Sequence, residues 1–80
     1  MNVKKTRING RIPEKKYDTD AGFDLYSCEE AKILPGQRFK FQLGIAIEIP
    51  ESFVGLVQGR SGLAINHGIT TIGNVIDSGY

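Results

Sequence analysis

The 80 residues carry ten Lys+Arg against nine Asp+Glu, a net charge of +1, with 40% hydrophobic side chains. This composition suits a single small domain over residues 1–80 and excludes a polyelectrolyte chain. One cysteine, Cys28, excludes an internal disulfide, and one histidine, His67, excludes a Cys/His zinc cluster. A chain of this size buries only about 60% of its unfolded surface, so assembly with further copies, or a missing piece of chain, is the expected source of stability. The apolar runs are too short to span a membrane and no apolar signal region opens the chain, so a cytoplasmic protein with no membrane partner is expected.

Charge is unevenly placed. Residues 1–16 hold Lys4, Lys5, Arg7, Arg11, Lys15 and Lys16 against Glu14, whereas residues 17–30 hold Asp18, Asp20, Asp24, Glu29 and Glu30. A basic arm suits nucleic acid, but no aromatic residue lies among those cations to stack on a base. A solvated strand and loop balanced by the next segment, with no nucleic-acid partner, is the preferred reading.

In chain order, Val3 to Ile8 reads as a first short strand and Asn9 to Asp20 as a loop. Phe23 to Cys28 and Ala31 to Leu34 read as strands, the second closed by a Pro35-Gly36 turn. Phe39, Phe41 and Leu43 alternate with Arg38, Lys40 and Gln42 in the cleanest strand pattern of the chain. Ile45, Ile47 and Ile49 continue it past Gly44. Pro50-Glu51-Ser52 is a turn, and Phe53 to Gln58 a further strand. Ser61 to Gly68 is the one helical segment, at most two turns, with Ser61 as N-cap and Gly68 as terminator. Ile69 to Ile72 and Val75-Ile76 flank a hairpin-like Gly73-Asn74 pair. Short strands at close spacing predict an all-β sandwich or barrel with one small helix. Asp77-Ser78-Gly79-Tyr80 is a turn that should lead into another strand.

Three segments offer chemistry. In Asp20-Ala21-Gly22-Phe23-Asp24-Leu25-Tyr26-Ser27, a small Ala-Gly pair lets backbone approach another group, and Asp24 starts a strand; alone, a turn with a solvated carboxylate explains it. In Gly59-Arg60-Ser61-Gly62-Leu63-Ala64, a strand gives way to a helix whose first N–H groups lack internal partners. Arg60 adds a donor fork suited to phosphate, Ser61 a hydroxyl, and Gly62 an unobstructed approach. A phosphate site and an ordinary capped helix stand level there. In Gly73-Asn74-Val75-Ile76-Asp77-Ser78-Gly79-Tyr80, backbone groups near Asn74 suit a base edge, Asp77 suits a general base, and Tyr80 suits stacking. In isolation a plain hairpin with Asp77 and Ser78 as turn formers is the better explanation. Cys28 reads as a small buried apolar residue and His67 as a partner of the last helical carbonyls.

Taken in this order, the three segments resemble the motifs of the trimeric dUTP diphosphatases (dUTPases), over most of the chain from Val3 to Tyr80. The resemblance implies a jelly-roll-like β barrel, a homotrimer, and Mg2+-dependent hydrolysis of dUTP to dUMP and diphosphate. It implies that Asp24 holds the metal through water. It gives the phosphates to Arg60, Ser61 and Gly62, and the uracil to Asn74, Val75 and Ile76. Asp77 then activates the attacking water, and Tyr80 packs under the deoxyribose. Neighbouring subunits share each site in this family.

The sequence departs from the family pattern in three places. Gly59 stands where many members carry proline, though some viral members carry glycine. Asn74 stands where glycine is usual, which bears on the fit of the base-reading hairpin. The fourth motif and the glycine-rich fifth motif do not follow Tyr80. The expectation is therefore a dUTPase-like domain incomplete at its C-terminus, weak or inactive as it stands. A non-catalytic nucleotide- or protein-binding module is the alternative. A dCTP deaminase-like enzyme is a minor one, since it would need a glutamate base near Asp77-Ser78-Gly79.

Overall fold

The computed structural model describes all 80 residues and contains four short strands and one helix. These are β1 (Asn2–Lys5), β2 (Ile45–Glu48), β3 (Val54–Leu56), α1 (Ser61–His67) and β4 (Val75–Asp77). β1 pairs with β2, and β3 with β4. Two compact units result: Val3–Ile47, and Met1–Asn2 together with Glu48–Tyr80.

The second unit is built on regular elements. β3 and β4 run antiparallel, with Val54 opposite Asp77, Gly55 opposite Ile76 and Leu56 opposite Val75. The Val57 N–H donates to the Asn74 carbonyl at 2.8 Å and lengthens the ladder. Alternation puts Val54, Leu56, Val75 and Asp77 on one face and Gly55 and Ile76 on the other. Gly55 suits the close packing there, because a Cβ would stand 3.1 Å from Ile49 Cδ1 and 3.2 Å from Ile76 Cβ and both side chains would have to give. A turn with Ser52 at φ 70° precedes β3, closed by the Phe53 N–H on the Pro50 carbonyl at 3.1 Å.

Helix α1 begins one residue earlier than predicted, at Ser61 itself. Arg60, extended at φ −99° and ψ 134°, is the N-cap, and no side chain caps the first turn. Ser61 is the first helical residue instead, because Arg60 already supplies the carbonyl that the Ala64 N–H reaches at 3.0 Å. Gly68 ends the helix as predicted, left-handed at φ 66°. The predicted hairpin around Gly73-Asn74 does not form. Ile69 is drawn back to the Leu63 carbonyl at 3.1 Å, and β4 takes β3 as its partner.

The first unit carries most of the β1–β2 pair at its ends and loops between them. β1 is shorter than Val3 to Ile8, because the N–H groups of Thr6 and Arg7 both converge on the Gly44 carbonyl, at 2.8 and 3.3 Å. Gly10 crosses Gly44 so closely that a Cβ on Gly10 would stand 2.1 Å from the Gly44 oxygen. Gly44 is left-handed at φ 67°. These two glycines are the only buried residues of the chain. The strands predicted at Phe23 to Cys28, Ala31 to Leu34 and Phe39 to Leu43 do not form. Their backbone groups are used singly. The Cys28 N–H and the Asn9 amide take the Gln42 and Cys28 carbonyls, at 3.0 and 2.7 Å. The Glu29 carboxylate captures the Gln42 N–H at 2.6 Å, replacing a neighbouring strand. Phe39 and Phe41 instead sit beside each other, ring centres 4.6 Å apart. The Pro35-Gly36 turn does form, with the Gln37 N–H on the Leu34 carbonyl at 3.0 Å.

No hydrophobic side chain is fully buried. The accessible surface is 7002 Å², against about 4,800 Å² for a compact folded protein of 8.8 kDa. Helix α1 buries nothing, and Ile65 is 82% exposed on it. Cys28 is half-buried rather than buried, its thiol 3.3 Å from the Gln42 carbonyl.

Candidate functional site

In the unit Glu48–Tyr80 the ladder and the helix set out eight of the nine candidate residues. Asp77 ends β4 on the open face, in line with Val75 and across from Val54. Val54, Leu56 and Val75 are 53%, 62% and 63% exposed, so the carboxylate stands at the end of an apolar platform. The chain turns immediately afterwards, with the Tyr80 N–H on the Asp77 carbonyl at 3.1 Å, leaving the Tyr80 side chain exposed. Such a platform suits a flat ring, and a carboxylate at its rim suits a water molecule.

Arg60, Ser61 and Gly62 occupy the strand-to-helix turn as read from the sequence. The space over Gly62 is open, and its φ lies outside the left-handed region. Neither crowding nor backbone conformation within the chain therefore requires glycine, which in a helix costs about 1 kcal/mol relative to alanine. An approaching ligand group would require it.

Asn74 and Ile76 lie on the half-buried face. The Asn74 main-chain carbonyl is used by Val57, and its side-chain Oδ1 is buried with no hydrogen-bond partner. The departure from glycine at this position thus leaves an unsatisfied acceptor beside β4.

Asp24 belongs to the other unit, Val3–Ile47. It is half-buried, and its N–H donates to the Glu14 carbonyl at 2.7 Å in an isolated antiparallel bridge. Around it the Arg11 guanidinium lies 3.6 Å from the Tyr26 ring centre and the Lys15 ammonium 5.0 Å from that of Phe23. Sequence reasoning missed this arrangement. The cations of residues 1–16 have no aromatic among them, but aromatics of the next segment lie under three of them, Tyr26 under Arg11, Phe23 under Lys15 and Tyr17 under Lys16.

No group of three or more His, Cys, Asp or Glu residues is placed to hold a metal ion. That donor set excludes an all-protein cage, yet fits Mg2+, which keeps several waters and takes one or two carboxylates with substrate phosphates. No helix is long and apolar enough to cross a membrane.

Comparison with known structures fixes the class first. A mutant dUTPase from phage phi11 of S. aureus, described with a structural Mg(II) ion, superposes with a TM-score of 0.86 at 34% identity, covering 99% of this chain and 52% of its own. The dUTPase of Staphylococcus bacteriophage 80alpha gives 0.85 at 35%, covering 99% and 51%. The fold is thus the β-rich, jelly-roll-like fold of these proteins, with one short helix. The dUTPase family model then matches residues 9–80, and the chain belongs to the dUTPase family. Proteins named deoxyuridine 5'-triphosphate nucleotidohydrolase are 44% identical in Mycobacterium leprae and 42% identical in Mycobacterium tuberculosis, each over 71 residues, or 86% of this chain. The chain spans about half the length of these relatives, 46% in both.

Proposed function

We propose that the protein is a dUTP diphosphatase acting through the three motifs as one domain over residues 1–80. The observation that carries this reading is the family match over residues 9–80, which takes in all three motifs in order. In the reaction, water attacks a phosphorus of dUTP in line with the departing diphosphate, giving dUMP, diphosphate and a proton. Asp77 accepts the proton of that water and holds it in line. Arg60 grips the phosphates with its donor fork, and Ser61 and Gly62 offer a hydroxyl and bare backbone N–H groups. Asn74, Val75 and Ile76 read the uracil, and Tyr80 covers the deoxyribose. Asp24 is the residue that would hold Mg2+, through water. The ion supplies neutralisation of the triphosphate charge when bound.

The large exposed apolar surface and the absence of a buried hydrophobic side chain support a homotrimer, which would cover part of that surface. A cytoplasmic location fits an enzyme of free nucleotides. A second reading, a binding module without turnover, is favoured by one observation. The 80alpha neighbour comes from work describing phage dUTPases as controlling transfer of virulence genes by a G protein-like mechanism.

The test is diphosphate release from dUTP with Mg2+, with Asp77→Asn alongside. In a chain that also carries the fourth and fifth motifs, the expected result is turnover that falls by about 10²- to 10⁴-fold in Asp77→Asn, at unchanged Tm because Asp77 is exposed. Tight dUTP binding without turnover in that longer chain would select the binding module.

A further inference from the structure

The segment carrying Asp24 has no regular strand to fix it, and residues 11–15 supply what a neighbouring strand would. The Glu14–Asp24 bridge is antiparallel, so residue 15 runs beside 23 and residue 12 beside 26. Lys15 follows that register, whereas Arg11, which would run beside residue 27, reaches the neighbouring Tyr26 ring. Lys15 stands over Phe23 and Arg11 over Tyr26, one and two positions either side of Asp24. In the bridge the half-buried Asp24 donates its N–H to the Glu14 carbonyl at 2.7 Å. The two cation–π contacts close it from both ends. They also give two cations of the basic segment, Arg11 and Lys15, a role.

We propose that Arg11 and Lys15 are positioning residues that clasp the Asp24 segment and hold its carboxylate ready for the hydrated metal ion. This rests on the reading of Asp24 given above. The chemistry favours Arg11 as the stronger half, because a planar guanidinium stacks on a ring where an ammonium meets it only as a point charge. An exposed cation–π contact shifts a local equilibrium by roughly two- to fivefold, which is enough to change how often Asp24 is in place without unfolding anything.

The test uses Arg11→Ala, Arg11→Lys and the double variant Arg11→Ala with Lys15→Ala, each in the full chain. Two quantities are read: amide exchange at Asp24 by NMR without ligand, and the Mg2+ concentration that gives half-maximal dUTP binding. Arg11→Ala is expected to raise both by roughly two- to fivefold and the double variant by about tenfold, at unchanged Tm. Arg11→Lys should restore part of each. Unmoved values in the double variant, or a Mg2+ shift that merely tracks a falling Tm, would overturn the proposal while leaving the dUTP reading intact. An unsubstituted protein that binds no dUTP at any Mg2+ concentration would overturn both, and exchange at Asp24 would still report whether the clasp forms.

Discussion

The two units of the chain reach order by different means. Glu48–Tyr80 is organised by a β3–β4 ladder and a capped helix, whose partners are fixed by period and register. Val3–Ile47 holds most of the β1–β2 pair at its two ends, and between them is organised by a glycine crossing, single side-chain-to-backbone hydrogen bonds and cations lying on rings. The first kind of order leaves one face free for chemistry, and the candidate residues Val75 and Asp77 stand on that face. The second kind depends on a few close approaches and offers little tolerance at those points.

The largest expected effect follows from that intolerance. Gly10→Ala would drive a methyl group onto the Gly44 carbonyl. It should destabilise the 3–47 unit by about 3 kcal/mol or more, read as lost amide protection there. Protection in β3 and β4 that falls equally would show that the two kinds of order are one cooperative structure. Next comes Arg60→Ala, which removes charge-assisted hydrogen bonds at the helix start. It should weaken dUTP binding by about tenfold to hundredfold with little change in Tm. A collapse of Tm would instead assign Arg60 to the scaffold.

The smallest effect sharpens the comparison from the other side. Asn74→Ala removes a buried, unsatisfied Oδ1 from the otherwise regular unit. It should stabilise the protein by about 1 kcal/mol, measured as a raised Tm. A loss of stability would mean that the side chain is satisfied in solution.

The same contrast explains what could be read from the sequence. β2, β3, the Gly68 terminator and the turns at Pro50 and Asp77 follow from local pattern, and all five form close to their predicted places. The alternation at Phe39, Phe41 and Leu43 was equally clean, yet no strand forms, because the Glu29 carboxylate takes the Gln42 N–H from thirteen residues away. β4 was placed correctly but with the wrong partner, since nothing local distinguishes residues 69–72 from residues 54–56 as its neighbour. Among the candidate residues, the Arg60 turn and Asp77 were legible because helix starts and strand ends announce themselves. The clasp around Asp24 was not, because its cations and rings belong to separate segments with opposite charge.

The central claim is that the three motifs bind one nucleotide. Amide chemical shifts followed by NMR during titration with dUTP and Mg2+ test it most directly. The account predicts saturable shifts concentrated in residues 20–27, 59–64 and 73–80, with dCTP producing far smaller ones. Saturating dUTP that moves none of these segments, or moves residues outside them instead, would contradict it.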